Sequence, residues 1–172
     1  MKKLVIITGV FLLAAGLFSI KYFTILLDSK ESAIVINKPY PFKENYKNTE
    51  NMVNAVDHIF IGEVVTETGR EPYNGRHNTQ FKVMITQNIK GALMGDITVN
   101  QEGGYYKKHG KLYLETYENT LILKEKQMYL LAVTRTDKGF FQVVPVYGAT
   151  PLKNEEEKYE QIAIIKQAMA KE

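Results

Sequence analysis

Apolar and polar residues follow three different patterns along this chain: an unbroken apolar run at the start, alternation through the middle, and helical spacing at the end. Met1-Lys2-Lys3 precedes Leu4 to Ile20, which holds no charge, and after Lys21 the apolar character resumes from Tyr22 to Leu27. A short cationic lead before an apolar stretch marks export. The stretch is longer than the ~7–15 residues of a cleavable signal core and reaches the ~17–25 that span a bilayer, with Lys21 able to snorkel to the interface. Residues 1–27 are therefore expected to form an uncleaved signal anchor, a single transmembrane helix with Lys2 and Lys3 inside and the remainder outside. A cleaved signal peptide, which would leave the domain secreted, and a buried core helix are the alternatives.

Residues 28–48 read as an extended tether. Ala33 to Ile36 is a short strand candidate, and Pro39 and Pro41 keep the next residues out of a helix. Residues 49–172 read as one domain. Thr49 is placed to cap a short helix carrying Met52, Val53 and Val56 on one face. A β-branched run from Ile59 to Val65 follows and ends near Gly69. The stretch from Arg70 to Asn78, with Pro72, Asn74 and Gly75, reads as a loop. Phe81, Val83, Ile85 and Ile89 then alternate with polar residues, as a strand with one buried face does. Ile97 to Gln101 is a strand stopped by Gly103-Gly104. Further strands are expected at Leu121 to Leu123, Met128 to Val133 and Phe140 to Val146, the last two joined by the turn Thr136 to Gly139. Asn154 with Glu157 forms a capping box, and Tyr159, Ile162, Ile165 and Met169 recur at helical spacing. Short, evenly spaced strands with a helix at each end predict a mainly β protein built as a small closed barrel.

Charge sharpens this organisation. The formal net charge of +3 comes from 22 Lys+Arg against 19 Asp+Glu, but Lys2, Lys3 and Lys21 precede the first acidic residue, Asp28. From Asp28 onward bases and acids balance, so the domain lacks the positive excess with which proteins grip nucleic acid, and no nucleic-acid partner is expected. The chain has no cysteine, which excludes disulfides, a thiol nucleophile and a zinc-thiolate site.

The run His58-Ile59-Phe60-Ile61-Gly62-Glu63-Val64, then Thr79, Phe81, Val83 and Ile85, then Ile89-Lys90-Gly91, resembles exported bacterial proteins of the netrin/TIMP-like type. Gly95-Asp96-Ile97, Val99, Gln101 and Gly103-Gly104, followed by Tyr129-Leu130-Leu131 and Gly148, extend the resemblance over roughly Ala55 to Pro151. It implies an OB-like five-stranded barrel with flanking helices that serves as a binding or interaction module. Eukaryotic members of that type inhibit metalloproteases through an N-terminal cysteine on zinc, and this chain has no such residue.

Candidate chemistry is sparse. His58, His77 and His109 show no metal-ligand spacing, so no metal or cofactor is expected. Ser19, Ser29 and Ser32 all lie in the anchor or tether, and no nucleophile elbow exists. Gly103-Gly104 is no phosphate loop and reads as a strand end. The notable segment is Tyr105 to Tyr117, where aromatics interleave with bases as on barrels that stack and grip an extended ligand. Tyr105, Tyr106, Lys107, Lys108, Lys111 and Tyr113 are the candidate binding residues, for a protein or a cell-wall polymer; a solvated hairpin whose tyrosines cover the barrel rim is the alternative. The expected function is a non-enzymatic, membrane-tethered, extracytoplasmic interaction module. An exported enzyme using Glu63, Glu102 or His109, and a cysteine-independent inhibitor of an extracellular protease, are the competing readings.

Overall fold

The computed structural model describes residues 30–70 and 72–171, and the expected membrane span lies outside them. Among the described residues no helix is long and apolar enough to cross a membrane. Residues 30–35 with Tyr105–Leu114 make one compact unit, and residues 36–104 with 115–171 another. After a single 3-10 turn at Lys30–Ser32 the strands are β1 (Ile34–Lys38), β2 (His58–Gly69), β3 (Asn78–Lys90), β4 (Asp96–Glu102), β5 (Gly104–Lys108), β6 (Lys111–Tyr117), β7 (Met128–Arg135), β8 (Phe141–Val143) and β9 (Ala149–Leu152). Among the described residues there are two α-helices, α1 (Thr49–Ala55) and α2 (Glu155–Met169).

Five strands close into a barrel. β2 pairs with β3 and β3 with β4; β4 runs parallel to β8, β8 pairs with β7, and β7 returns to β2. Closure removes the open edges that would otherwise recruit other strands. Four register shifts along the β2–β3 ladder bend these two long strands far enough to close the ring. β9 pairs with the first half of the β7 edge whose second half pairs with β8, and β1, β6 and β5 form a separate three-stranded sheet in that order.

The apolar run of β2 is continuous because both its faces are covered. Phe60 and Val64 point into the barrel with Phe81, Val83, Val99, Leu131 and Val133. Ile59 and Ile61 face the other way, with Leu130 and Ala132, onto Met52 and Val53 of α1 and Ile162 and Ile165 of α2. Burial of this second layer, at about 25 cal/mol per Å² of apolar surface, holds both helices on the barrel wall. The capping box at α2 is present: Asn154 Oδ1 accepts from the Glu157 amide at 2.8 Å, and Glu157 accepts from the Lys153 amide at 2.9 Å.

The structure corrects four local expectations. Asn48, not Thr49, caps α1, its Oδ1 accepting from the Glu50 and Asn51 amides. Tyr159 is 66% exposed, because the buried stripe of α2 runs through Ile162, Ile165 and Ala168. The segment expected as one strand from Phe140 to Val146 stops at Val143, since Pro145 cannot donate to a ladder and Val146 is turned to φ 69°. Leu121 to Leu123 is no strand: the Gln101 side chain takes the place of a partner strand, donating to the Leu121 carbonyl at 3.0 Å and accepting from the Leu123 amide at 2.9 Å.

The Gln101→Leu variant leaves the buried Leu123 amide unpaired and removes the bond to the Leu121 carbonyl. It is expected to lower unfolding stability by about 1–3 kcal/mol, read as a shifted urea midpoint at unchanged slope. An unchanged midpoint would mean that the segment is held by packing alone.

Candidate functional site

The Tyr/Lys segment folds as the β5–β6 hairpin. His109 (φ 50°) and Gly110 (φ 75°) form its two-residue turn, with the paired positive φ angles that match the twist of the flanking strands. A two-residue turn sets Lys108 opposite Lys111 and Tyr106 opposite Tyr113 on one face. The two tyrosine rings stack there, with centroids 5.3 Å apart and planes within 17°. On the other face Leu112 is buried, and Lys30 Nζ lies 5.3 Å from the centroid of Tyr105. Tyr105, Tyr106 and Tyr113 are half-buried, whereas Lys107, Lys108 and Lys111 are exposed around the tip. All six predicted residues thus lie on one hairpin, with Tyr106, Lys108, Lys111 and Tyr113 on one face and Tyr105 and Lys107 on the other.

The larger unit holds a polar cluster that sequence reasoning missed. Glu115, on β6, is 2% exposed. Lys38 of β1 donates to its Oε2 at 2.6 Å, the Tyr117 hydroxyl donates to its Oε1 at 2.8 Å, and His77 Nδ1 lies 3.4 Å from Oε2. Burial opposes the charged carboxylate, but the Lys38 and Tyr117 hydrogen bonds and the Lys38 charge outweigh it and hold the Glu115 pKa below its ordinary value. Burial first, then the hydrogen bond to this carboxylate, push the Tyr117 hydroxyl upward. Beside it Arg76 donates to Glu102 and to the Tyr40 hydroxyl, each at 2.7 Å, and stacks 4.7 Å from the Tyr40 ring centroid. The Tyr40 and Tyr117 rings meet edge to face at 5.5 Å.

The backbone fixes this cluster. Thr79 Oγ1 donates to the Gly103 carbonyl at 2.9 Å, and a Cβ on Gly104 (φ 137°) would collide with the same hydroxyl. The dipeptide therefore ends β4 and launches β5, as expected of a strand end. Buried Asn100 donates to Asn78 at 2.8 Å and to Gln142 at 2.6 Å. Asn78 in turn donates to the carbonyls of Tyr73 and Arg76, and so holds the loop that carries Arg76.

Two kinds of chemistry emerge. The charges around Arg76 and Glu115 are spent on one another, so this cluster positions the backbone. At the tip, Lys108 and Lys111 have no carboxylate partner among the described residues, and they can bind an anion. Of the residues named for enzymatic chemistry, Glu102 is taken by Arg76 and His109 occupies the hairpin turn. Glu63 stands opposite Met84 and Glu102 opposite Asn78, six residues apart along β3 and hence about 20 Å apart. That exceeds the ~5–9.5 Å separation at which two carboxylates share a glycosidic bond. Among the described residues no three metal-ligating side chains converge. No family model and no curated protein matches the chain.

Because the folded-state pKa of Glu115 is depressed, its contribution is complete above the ordinary glutamate value of ~4.3 and is lost as pH falls through the lower folded value. The Glu115→Gln variant is expected to be less stable than the parent at pH 7. That gap should hold down to about pH 5 and narrow below ~4.3 in urea titrations at each pH. A gap that stays constant down to pH 2 would show that the carboxylate charge contributes nothing.

Proposed function

We propose that this chain is a non-enzymatic, membrane-tethered module, outside the cytoplasm, that binds a component of the cell envelope through the β5–β6 hairpin. The observation that carries this reading is the exposed pair Lys108 and Lys111 at the hairpin tip, which have no carboxylate partner among the described residues. The anchor is read from the uncharged run behind Lys2 and Lys3. The ring order, with its one parallel pair between β4 and β8, supports an OB-like barrel and with it the netrin/TIMP-like resemblance. In this reading the hairpin is an insertion between two barrel strands, where a binding element changes without disturbing the core.

A photo-crosslinking residue at Lys107 in intact cells, with Tyr159 on α2 as control, tests the reading. An adduct with protein, wall polymer or lipid is expected from position 107 and not from 159. Equal yields from the two positions would contradict it. The Lys108→Ala/Lys111→Ala double variant should lose the adduct while its stability stays within about 0.5 kcal/mol of the parent, as surface substitutions do; loss of folding would make the lysines structural.

A further inference from the structure

We infer that the β5–β6 hairpin seats on the anionic phospholipid headgroups of the membrane from which the chain emerges. The inference rests on the membrane-anchored reading above and names the partner of the same hairpin.

Three observations converge on a lipid surface. Residues 105–114 hold three lysines and no carboxylate, whereas the rest of the chain from Asp28 onward has 16 basic against 19 acidic residues, and Lys108 and Lys111 have no carboxylate partner among the described residues. The two-residue turn places Lys108 and Lys111 opposite each other on adjacent strands, where like charges are unfavourable and a bound anion would relieve the repulsion. Behind the lysines the stacked Tyr106 and Tyr113 offer rings with polar tips, the side chains that settle at headgroup level. Cationic side chains at an anionic membrane surface gain about 1 kcal/mol each.

Chain length supplies the reach. From Lys21, at the end of the uncharged run, to Lys30 is nine Cα steps, about 30 Å when fully extended. Lys30 lies over Tyr105 within the same compact unit as the hairpin. The root of the hairpin is thus held within a few tens of ångströms of the bilayer, where a weak surface contact becomes effectively intramolecular. A wall polymer shares the phosphate chemistry but is not brought to the hairpin by the tether.

The chain lacks cysteine, so a Lys107→Cys variant carries a single thiol for an environment-sensitive fluorophore. The full chain is reconstituted into vesicles of phosphatidylcholine alone and of phosphatidylcholine mixed with phosphatidylglycerol. A second sample is labelled through Tyr159→Cys. Flotation with the vesicles first reports whether residues 1–27 insert. The label at 107 is expected to be shielded from an aqueous quencher on the phosphatidylglycerol vesicles only, and the label at 159 on neither. Adding Lys108→Glu and Lys111→Glu should lower the docked-to-undocked ratio by at least roughly 25-fold, about fivefold for each positive charge removed with the repulsion of the new carboxylates in addition. A chain that does not float overturns the anchor reading and this inference with it. A chain that floats with an exposed 107 label, or with shielding that is equal on neutral vesicles or survives both charge reversals, overturns this inference alone. Shielding that appears only when purified wall polymer is added would assign the hairpin to the polymer instead.

Discussion

A carboxylate taken almost wholly out of water must be paired, and Glu115 is the carboxylate around which the polar cluster of the larger unit is organised. It sits where β6 leaves the hairpin, and its two oxygens are met by Lys38 of β1 and Tyr117 of β6, with His77 close by. Isolated burial of such a charge costs several kcal/mol, so the partners must be in place whenever the chain is folded. One ionic contact thereby links β1, which lies inside the segment expected as a tether, to β6. The adjoining Arg76–Glu102–Tyr40 contacts extend this cluster, and the amide relay through Asn78, Asn100 and Gln142 ties it to the place where β4 and β8 close the barrel.

The consequence is a division of labour between segments of very different chemistry. The barrel and its helices are two apolar layers on either side of β2 and β7, with little polar material to react or bind. The polar cluster compensates its own charges. At the hairpin tip Lys108 and Lys111 face solvent and contribute nothing to either apolar layer. A surface contact there can be made and broken without touching the packing that keeps the domain folded, because distant sites contribute almost independently to stability.

Much of the barrel was legible in the chain because its signals are local. Alternation in Phe81, Val83 and Ile85, the turn at Thr136 to Gly139, and the Asn154/Glu157 box each need only a few neighbouring residues. The departures come from interactions between distant positions. Gln101 supplies side-chain hydrogen bonds that replace a strand partner for Leu121 and Leu123, and no propensity scale sees that substitution. Asn48 outcompetes Thr49 as a cap because both are good caps and the choice rests on where the backbone turns. The six hairpin residues stood out by composition, but which faces they share followed only from the two-residue turn. The polar cluster joins Lys38, Tyr40, Arg76, His77, Glu102, Glu115 and Tyr117, residues far apart in sequence. Its single sequence signal was Glu115 itself, the lone acid in a basic, aromatic stretch.

The central claim, that the hairpin alone meets the envelope while the barrel only carries it, is tested most directly by backbone hydrogen exchange on the full chain in anionic against neutral vesicles. Slowed exchange confined to amides 107–112, with β2, β3 and β7 unchanged, is the predicted result. Unchanged exchange at the hairpin, or slowing centred on the barrel wall or α2, would contradict it.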